Sequence, residues 1–339
     1  MAEQPAAIAQ LLERHLPTLD GLRSRLWRDD VRSVVVVARG SSDNAARYAQ
    51  YLFGIQHRLP VGLAAPSITS IYDVELRFDG ALVIGISQSG QSPDVVGVLA
   101  AAKAQGRPAL AITNDASSPL AMAATDVLDL GVGPERAVAA TKTYTSSLTA
   151  LALMSAARAT GSDRARLVAE LERLPQLADE ALQLPTTEAA ELVAAHPHLL
   201  VAGRGLNYST AFEAALKIRE LSGTVAEAYS PPDLLHGPIA AVAASAAALL
   251  VAPDEPSVIS HHELVHRLRE RGTPVLAVSG DRKLSNAADL TIELGAQPAG
   301  WLTPVTSIMP LQQLAATVAG LRGRDPDAPA GLTKVTRTH

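Results

Sequence analysis

Two stretches of this chain repeat each other, and the repeat narrows the possible folds sharply. Val34-Val35-Val36-Val37-Ala38-Arg39-Gly40 matches Leu199-Leu200-Val201-Ala202-Gly203-Arg204-Gly205. The segment from Gly85 to Asp115 parallels that from Val251 to Asp281, with Gly106 facing Gly272. An almost fixed offset across two strand–helix–strand units predicts duplicated α/β domains. Short β-branched runs without alternation, such as Val34 to Ala38, suit strands covered on both faces and therefore parallel sheets. The 339 residues suffice for two domains of ordinary size. Aromatics are only 3% of the chain, and Ala, Val and Leu dominate, which favours close helix–sheet packing.

The stretch from Ile84 to Leu99 carries the clearest chemical signal. Leu82 to Ile86 reads as a buried strand. Ser92 is placed as an N-cap, Pro93 fits the first helical position and Asp94 suits the first turn. Between strand and helix lie Ser87, Gln88, Ser89, Gly90, Gln91 and Ser92. Hydroxyls and a glycine at a helix N-terminus favour an anion. The loop has no lysine, so it is not the lysine-bearing nucleotide loop, and a phosphate monoester on a sugar fits it better. An ordinary serine-rich turn would have the same residues.

The two copies differ at this loop. Ser87 and Ser89 correspond to Pro253 and Glu255, with Asp254 beside them. Carboxylates repel a phosphate, so the duplication is expected to carry one phosphate site, in the first half.

Several classes are excluded or disfavoured. The formal net charge of −5 and the lack of a basic run argue against a nucleic-acid surface. With no cysteine there are no disulfides, thiolate metal sites or cysteine nucleophiles. The N-terminus lacks a signal-peptide core and residues 5–28 read as helix. The longest largely apolar run, Ile239 to Ala252, is too short to span a bilayer and reads as a helix end followed by a buried strand. A cytoplasmic protein is expected. Further helices are expected at 45–53, 93–105, 141–160, 163–183 and 210–222, and strands at 34–38, 82–86, 109–113 and 126–130. The expected organisation is a helical segment 1–28, domains 29–183 and 184–320, and a tail 321–339.

Acids and bases concentrate in the second half. Glu213, Lys217 and Glu220 share one face of the expected helix 210–222. A solvated ion pair is the ordinary reading of such a pattern. Here, however, the helix follows Gly203-Arg204-Gly205, where open α/β sheets place ligands, and is otherwise apolar. His236 lies in a Pro-rich loop and is a candidate for proton transfer near neutral pH. His261, His262 and His266 have near-helical spacing, and with only Glu263 beside them they read as surface residues rather than metal ligands.

Several ordered motifs carry a family resemblance. They are Arg39-Gly40-Ser41-Ser42-Asp43, Ala64-Ala65-Pro66-Ser67, residues 86–94 (ISQSGQSPD), 137–144 (AVAATKTY), Ala215-Leu216-Lys217 with Glu220, Ala226 to Tyr229, Leu235-His236-Gly237-Pro238, and 329–338 (PAGLTKVTRT). With the paired halves, they resemble sugar isomerase (SIS) domains over nearly the whole chain. The chain is similar to the isomerase half of glucosamine-6-phosphate synthases and resembles SIS-type glucosamine-6-phosphate deaminases more closely. Leu235 stands where the synthases have lysine and agrees with the deaminases. Lacking cysteine, the chain cannot use glutamine through a cysteine glutaminase.

The resemblance implies two tandem SIS domains, each a flavodoxin-like, doubly wound parallel sheet flanked by helices. It places the phosphate on Ser42, Ser87, Gln88, Ser89 and Ser92, with Gly40 and Ser41 also among the substrate-binding residues. It places the sugar against backbone groups of Val138 and Ala139, with Glu135 and Thr333 nearby. It makes Glu220 the base between C2 and C1, supported by Glu213 and Lys217. His236 would assist ring opening from the neighbouring subunit of a homodimer, and Lys334 would close over the sugar. No metal or organic cofactor is implied. The implied reaction turns glucosamine 6-phosphate into fructose 6-phosphate and ammonia through an enolamine and a 2-imine, and a base of this kind works best if burial lifts its pKa. Two alternatives stay open: an enzyme for galactosamine 6-phosphate or a fructosamine phosphate, and a non-catalytic sugar-phosphate sensor. Such sensors usually carry a helix-turn-helix domain, for which residues 1–28 leave no room.

Overall fold

A computed structural model describes residues 1–242, 245–253, 256–329 and 331. The chain divides into two compact units. The first is Glu3–Arg136 with Ala140–Leu174, and the second is Pro175–Leu332 with Met1–Ala2 and Ala137–Ala139.

In the first unit the elements run α1 (Gln4–His15), α2 (Leu19–Leu26), β1 (Ser33–Val37), α3 (Ser41–His57), β2 (Val61–Leu63), α4 (Ser67–Ser70) and β3 (Ala81–Ser87). They continue with α5 (Pro93–Ala104), β4 (Ala109–Thr113), α6 (Pro119–Ala123), β5 (Asp126–Asp129), α7 (Lys142–Arg158) and α8 (Gly161–Glu172). The five strands are parallel in the order β2-β1-β3-β4-β5, with Val37 beside Gly85 at the β1–β3 seam. Val83, Val95, Leu99, Ala111 and Leu120 belong to a core cluster that seals one face. α7 is buried from Lys142 to Ala157. A helix rich in Ala, Leu, Ser and Thr on every side has no polar face to show water, and α1, α2 and α3 pack on it.

After α9 (Leu174–Leu182), the second unit runs α10 (Thr187–Ala194), β6 (His198–Gly203), α11 (Tyr208–Ser222), β7 (Val225–Tyr229), α12 (Pro231–Leu235) and β8 (Ala246–Ala252). It continues with α13 (Ile259–Glu270), β9 (Val275–Ser279), α14 (Arg282–Ala287), β10 (Leu290–Glu293) and α15 (Thr303–Leu321). Its parallel sheet has the order β7-β6-β8-β9-β10. This is the first sheet's order strand for strand, so the repeat seen in the sequence is a repeat of topology. In each sheet the order reverses between the first and third strands, and an open α/β sheet binds ligands at that switch point, beyond the carboxyl ends of the strands.

The structure corrects several expected boundaries. Pro17 lies in a 3-10 turn that breaks the helix expected over 5–28 into α1 and α2. The helix expected over 163–183 is α8 and α9, with Pro175 in the first turn of α9, where its missing N–H costs nothing. α3 begins at Ser41 rather than Ala45, because Gly40 adopts φ +55 and turns the chain into the helix four residues early. His261 is not a surface residue. Helical spacing places it on the face of Leu264, Val265 and Leu268, and all four are fully buried. Its neighbour His262 hydrogen-bonds Asp281 at 2.8 Å.

Candidate active site

The first unit's switch point lies between β1 and β3, and the expected phosphate residues sit on the two loops that leave it. Gly40 precedes α3, and Ser41 and Ser42 form its first turn. Ser87 ends β3, and Ser92 is the residue before α5. The loop between them is shaped by its own backbone. Gly90 has φ +62, and a Cβ there would stand 2.1 Å from the Ser118 hydroxyl, so only glycine fits. The Gly90 N–H donates to Ser87 Oγ at 3.1 Å. Ser92 occupies the N-cap position, yet its hydroxyl makes no capping bond. The Val95 N–H is taken by Asp94 Oδ1 at 2.9 Å and the Val96 N–H by the Ser92 carbonyl at 3.0 Å, so what this helix start offers an anion is the Ser92 hydroxyl, which has no capping bond, and the positive end of the helix dipole.

Residues outside the expected set hold this loop in place. Asp94, 4% exposed, receives Arg39 Nε at 2.9 Å and Nη2 at 2.5 Å, tying the β1 loop to the β3 loop. The Asn114 N–H donates to the Gln88 carbonyl at 3.2 Å. The Asn114 side chain accepts from Val132 N–H at 3.0 Å and donates to the Gly133 carbonyl at 2.8 Å. These contacts join positions far apart in sequence, and no local pattern marks them. Glu135 is nearly buried and caps α7. Its carboxylate accepts from Thr143 N–H at 2.7 Å, Thr143 Oγ1 at 2.5 Å and Lys142 N–H at 3.3 Å. Val138, partly exposed, and Ala139, buried, lie in sequence between Glu135 and the helix it caps. Thr333 and Lys334 lie outside the described residues.

The second unit carries the acid–base cluster on α11. Glu213 and Lys217 are fully buried, which excludes the solvated ion pair. Lys217 Nζ lies 2.5 Å from Glu220 Oε2 and 3.6 Å from Glu213 Oε1. Burial alone would lower the pKa of this ammonium, but the two carboxylates outweigh it and hold the pKa above the usual lysine value. The cluster is therefore one fixed cation between two anions. Glu220 is its accessible member, with 24% of its side chain exposed. His236 follows α12, whose start is capped by Ser230. Its ring is exposed and makes no hydrogen bond or ion pair among the described residues.

Among the described residues no group of three or more His, Cys, Asp or Glu side chains is arranged to hold a metal. None of the described helices is long and apolar enough to cross a membrane.

The SIS domain profile matches residues 29–157 and 191–322. The chain belongs to the SIS domain family. The two matched stretches carry the two five-stranded sheets. This SIS protein is 31% identical, over 98% of its length, to a glutamine–fructose-6-phosphate aminotransferase (isomerizing) from Pyrococcus horikoshii, of which it covers 56%. It therefore spans about half the length of the curated relatives it matches. Its fold is that of the C-terminal domain of glucosamine-fructose-6-phosphate aminotransferase from Francisella tularensis, with a TM-score of 0.87, 28% identity and 96% of each chain covered. It also superposes on a glucosamine-6-phosphate deaminase from Thermotoga maritima, with a TM-score of 0.71, 21% identity and 98% and 100% covered, a likeness of fold alone.

Proposed function

We propose that this SIS protein is an amino-sugar-phosphate isomerase that releases ammonia, acting on glucosamine 6-phosphate. The observation that carries the reading is the buried Glu213–Lys217–Glu220 cluster on α11, in a chain whose other unit offers a hydroxyl-lined helix N-terminus at its switch point. A buried ammonium clamped between carboxylates is costly to fold around, and structural packing alone does not require it. It does what a proton shuttle needs: it fixes the orientation of the one carboxylate that solvent and substrate reach.

Each residue then has a task. Ser42, Ser87, Gln88, Ser89 and Ser92, with the backbone from Gly40 and Ser41, hold the phosphate. Binding energy from that remote group is available to lower the barrier at C2. His236 transfers the ring proton that frees the aldehyde; its exposure suits a histidine that serves the neighbouring subunit of a homodimer. Glu220 removes the C2 proton and returns it to C1, so glucosamine 6-phosphate becomes the 2-imine of fructose 6-phosphate. Water adds to the imine, ammonia leaves and fructose 6-phosphate remains. Lys217 stays protonated and holds Glu220. Thr333 and Lys334 complete the sugar site with Val138 and Ala139, and Glu135 caps α7.

Ammonia release measured across glucosamine 6-phosphate, galactosamine 6-phosphate and a fructosamine phosphate tests the reading. The expected result is release from glucosamine 6-phosphate together with equimolar fructose 6-phosphate. Isomerisation of a sugar phosphate without ammonia would replace the deaminase with a simple aldose–ketose isomerase.

A further inference from the structure

A second concentration of positive charge lies in the first unit, away from the serine loop. A cavity of about 440 Å³ is lined by Arg23, Arg28, Arg32, Arg158 and Arg166, with Trp27 and His57. That volume is within the roughly 300–1,000 Å³ of small-molecule sites. Its place in the fold is the far end of α7. Residues 28–32 lead into β1, and Arg158 is the last residue of α7, whose first turn is the one capped by Glu135. Seventeen helical residues put the two ends about 25 Å apart.

The arginines differ in how they are neutralised. Arg28 faces Asp30, and Arg166 faces Glu170. Arg23, Arg32 and Arg158 are in no ion pair among the described residues. Arg23 Nη1 donates to the carbonyl of Arg158 at 2.6 Å, and Arg32 Nη1 donates to the carbonyls of Asp29 and Val31. These bonds fix the two guanidinium groups but leave their Nε and Nη2 donors uncommitted. The Arg158 guanidinium lies over the Trp27 ring, 4.9 Å from its centroid, and makes no hydrogen bond among the described residues. Asp29 and Asp163, both exposed, are the only carboxylates of the lining.

Three guanidinium groups in one lining, none of them paired with its two exposed carboxylates, repel one another. Burial, and then the charges of Arg23 and Arg32, push the pKa of Arg158 below its usual value. His57, hydrogen-bonded to Ser155 at 2.8 Å, is pushed down to about 4 by burial and by Arg158, so it stays neutral at physiological pH. An arrangement that costs stability when empty is relieved by a bound anion, and guanidinium forks match the oxygens of a phosphoryl group.

We propose that this arginine cavity is a second anion site, distinct from the serine loop, that binds a small phosphorylated metabolite through Arg23, Arg32 and Arg158. Inorganic pyrophosphate is the probe. The full chain carries Ser89→Ala and Ser92→Ala, so that anion binding at the serine loop is weakened, and its thermal unfolding is followed at low ionic strength. Pyrophosphate raises the melting temperature of this protein in a saturable way. Adding Arg32→Gln and Arg158→Met removes that rise while leaving the ligand-free melting temperature unchanged or higher, since like charges have been taken away. Arg158→Lys, which keeps the charge, retains part of the rise. Should the arginine variants fail to fold, protection of these arginines from phenylglyoxal by pyrophosphate gives the same readout. No rise, an equal rise in the arginine variants, or no protection overturns the proposal.

Discussion

The loops that follow β3 and β8 sit at equivalent places in two sheets of the same strand order, yet they cannot do the same job. Gly90 of the first loop corresponds to Pro256 in the second. Gly90 needs φ +62, and proline is locked near −65°, so the second loop cannot adopt the turn that shapes the first. Ser92 and Val258 each precede their helix, but only the serine offers a hydroxyl there. Asp94 receives Arg39, whereas its counterpart Ser260 donates to the Ser257 carbonyl. The helices after the first strand of each sheet diverge too. α3 presents Ser41 and Ser42 at its start, and α11 buries Glu213 and Lys217 in its middle. Duplication kept the scaffold, and on the proposed reading it divided the labour: one copy would hold an anion and the other would move a proton.

The largest effect that tests this division is on chemistry. Glu220→Gln keeps the size and one acceptor of the side chain but cannot take a proton. Exchange of the C2 proton with solvent, followed by NMR in D₂O, should fall by at least about 10²-fold, and binding of fructose 6-phosphate should be nearly unchanged. Exchange at the wild-type rate would remove Glu220 from the mechanism. Next comes stability. Lys217→Met leaves two carboxylates without the buried cation between them, at a cost of about 3–5 kcal/mol in denaturant unfolding. Glu213→Gln added to Lys217→Met should recover part of that loss. A loss no larger than that of an exposed lysine would show that the cluster is not held as the structure shows it.

A smaller effect separates the units by pH. Burial pushes His261 of α13 down to about 4, against roughly 6.5 in the unfolded chain. The unfolded state then binds a proton that the folded state refuses, so stability is full above about pH 6.5 and falls as pH drops towards 4. His57 of the first unit behaves in the same direction. His261→Gln should flatten the fall in urea midpoint between pH 7 and pH 5 without abolishing it, because His57 remains. An unchanged fall would mean that His261 takes up its proton in the folded state.

How much of this was legible in sequence depends on the range of the interaction. β1, β3, β4 and β8 are uniform apolar runs between turn signals, so their positions follow from local pattern. β2 has three residues at a sheet edge and offers too little pattern to recognise. Pro304 and Pro310 obscure α15, although Pro304 falls in the first turn and Pro310 is accommodated inside the helix. Ser41 to Asp43 look like loop because such residues weaken helix interiors, but at a helix start they are favourable. The serine loop and the Glu–Lys–Glu stripe were visible from spacing. Their supports were not: Arg39 meets Asp94 across 55 residues, and Asn114 reaches Val132. Burial of Lys217 was equally hidden, because a charged stripe reads the same whether it faces water or protein.

A division of labour between the two copies requires that only the first holds phosphate. Calorimetric titration of fructose 6-phosphate measures this directly, in protein carrying Arg32→Gln and Arg158→Met so that the arginine cavity does not contribute. The predicted result is one ligand per chain. Adding Ser89→Ala and Ser92→Ala should weaken it by a few kcal/mol, since each hydrogen bond lost to a charged group costs about 1.5–3 kcal/mol. Changing Asp254 and Glu255 to alanine should leave it unaltered. Two ligands per chain, or an affinity undiminished by loss of both serines, would contradict the division of labour between the two copies.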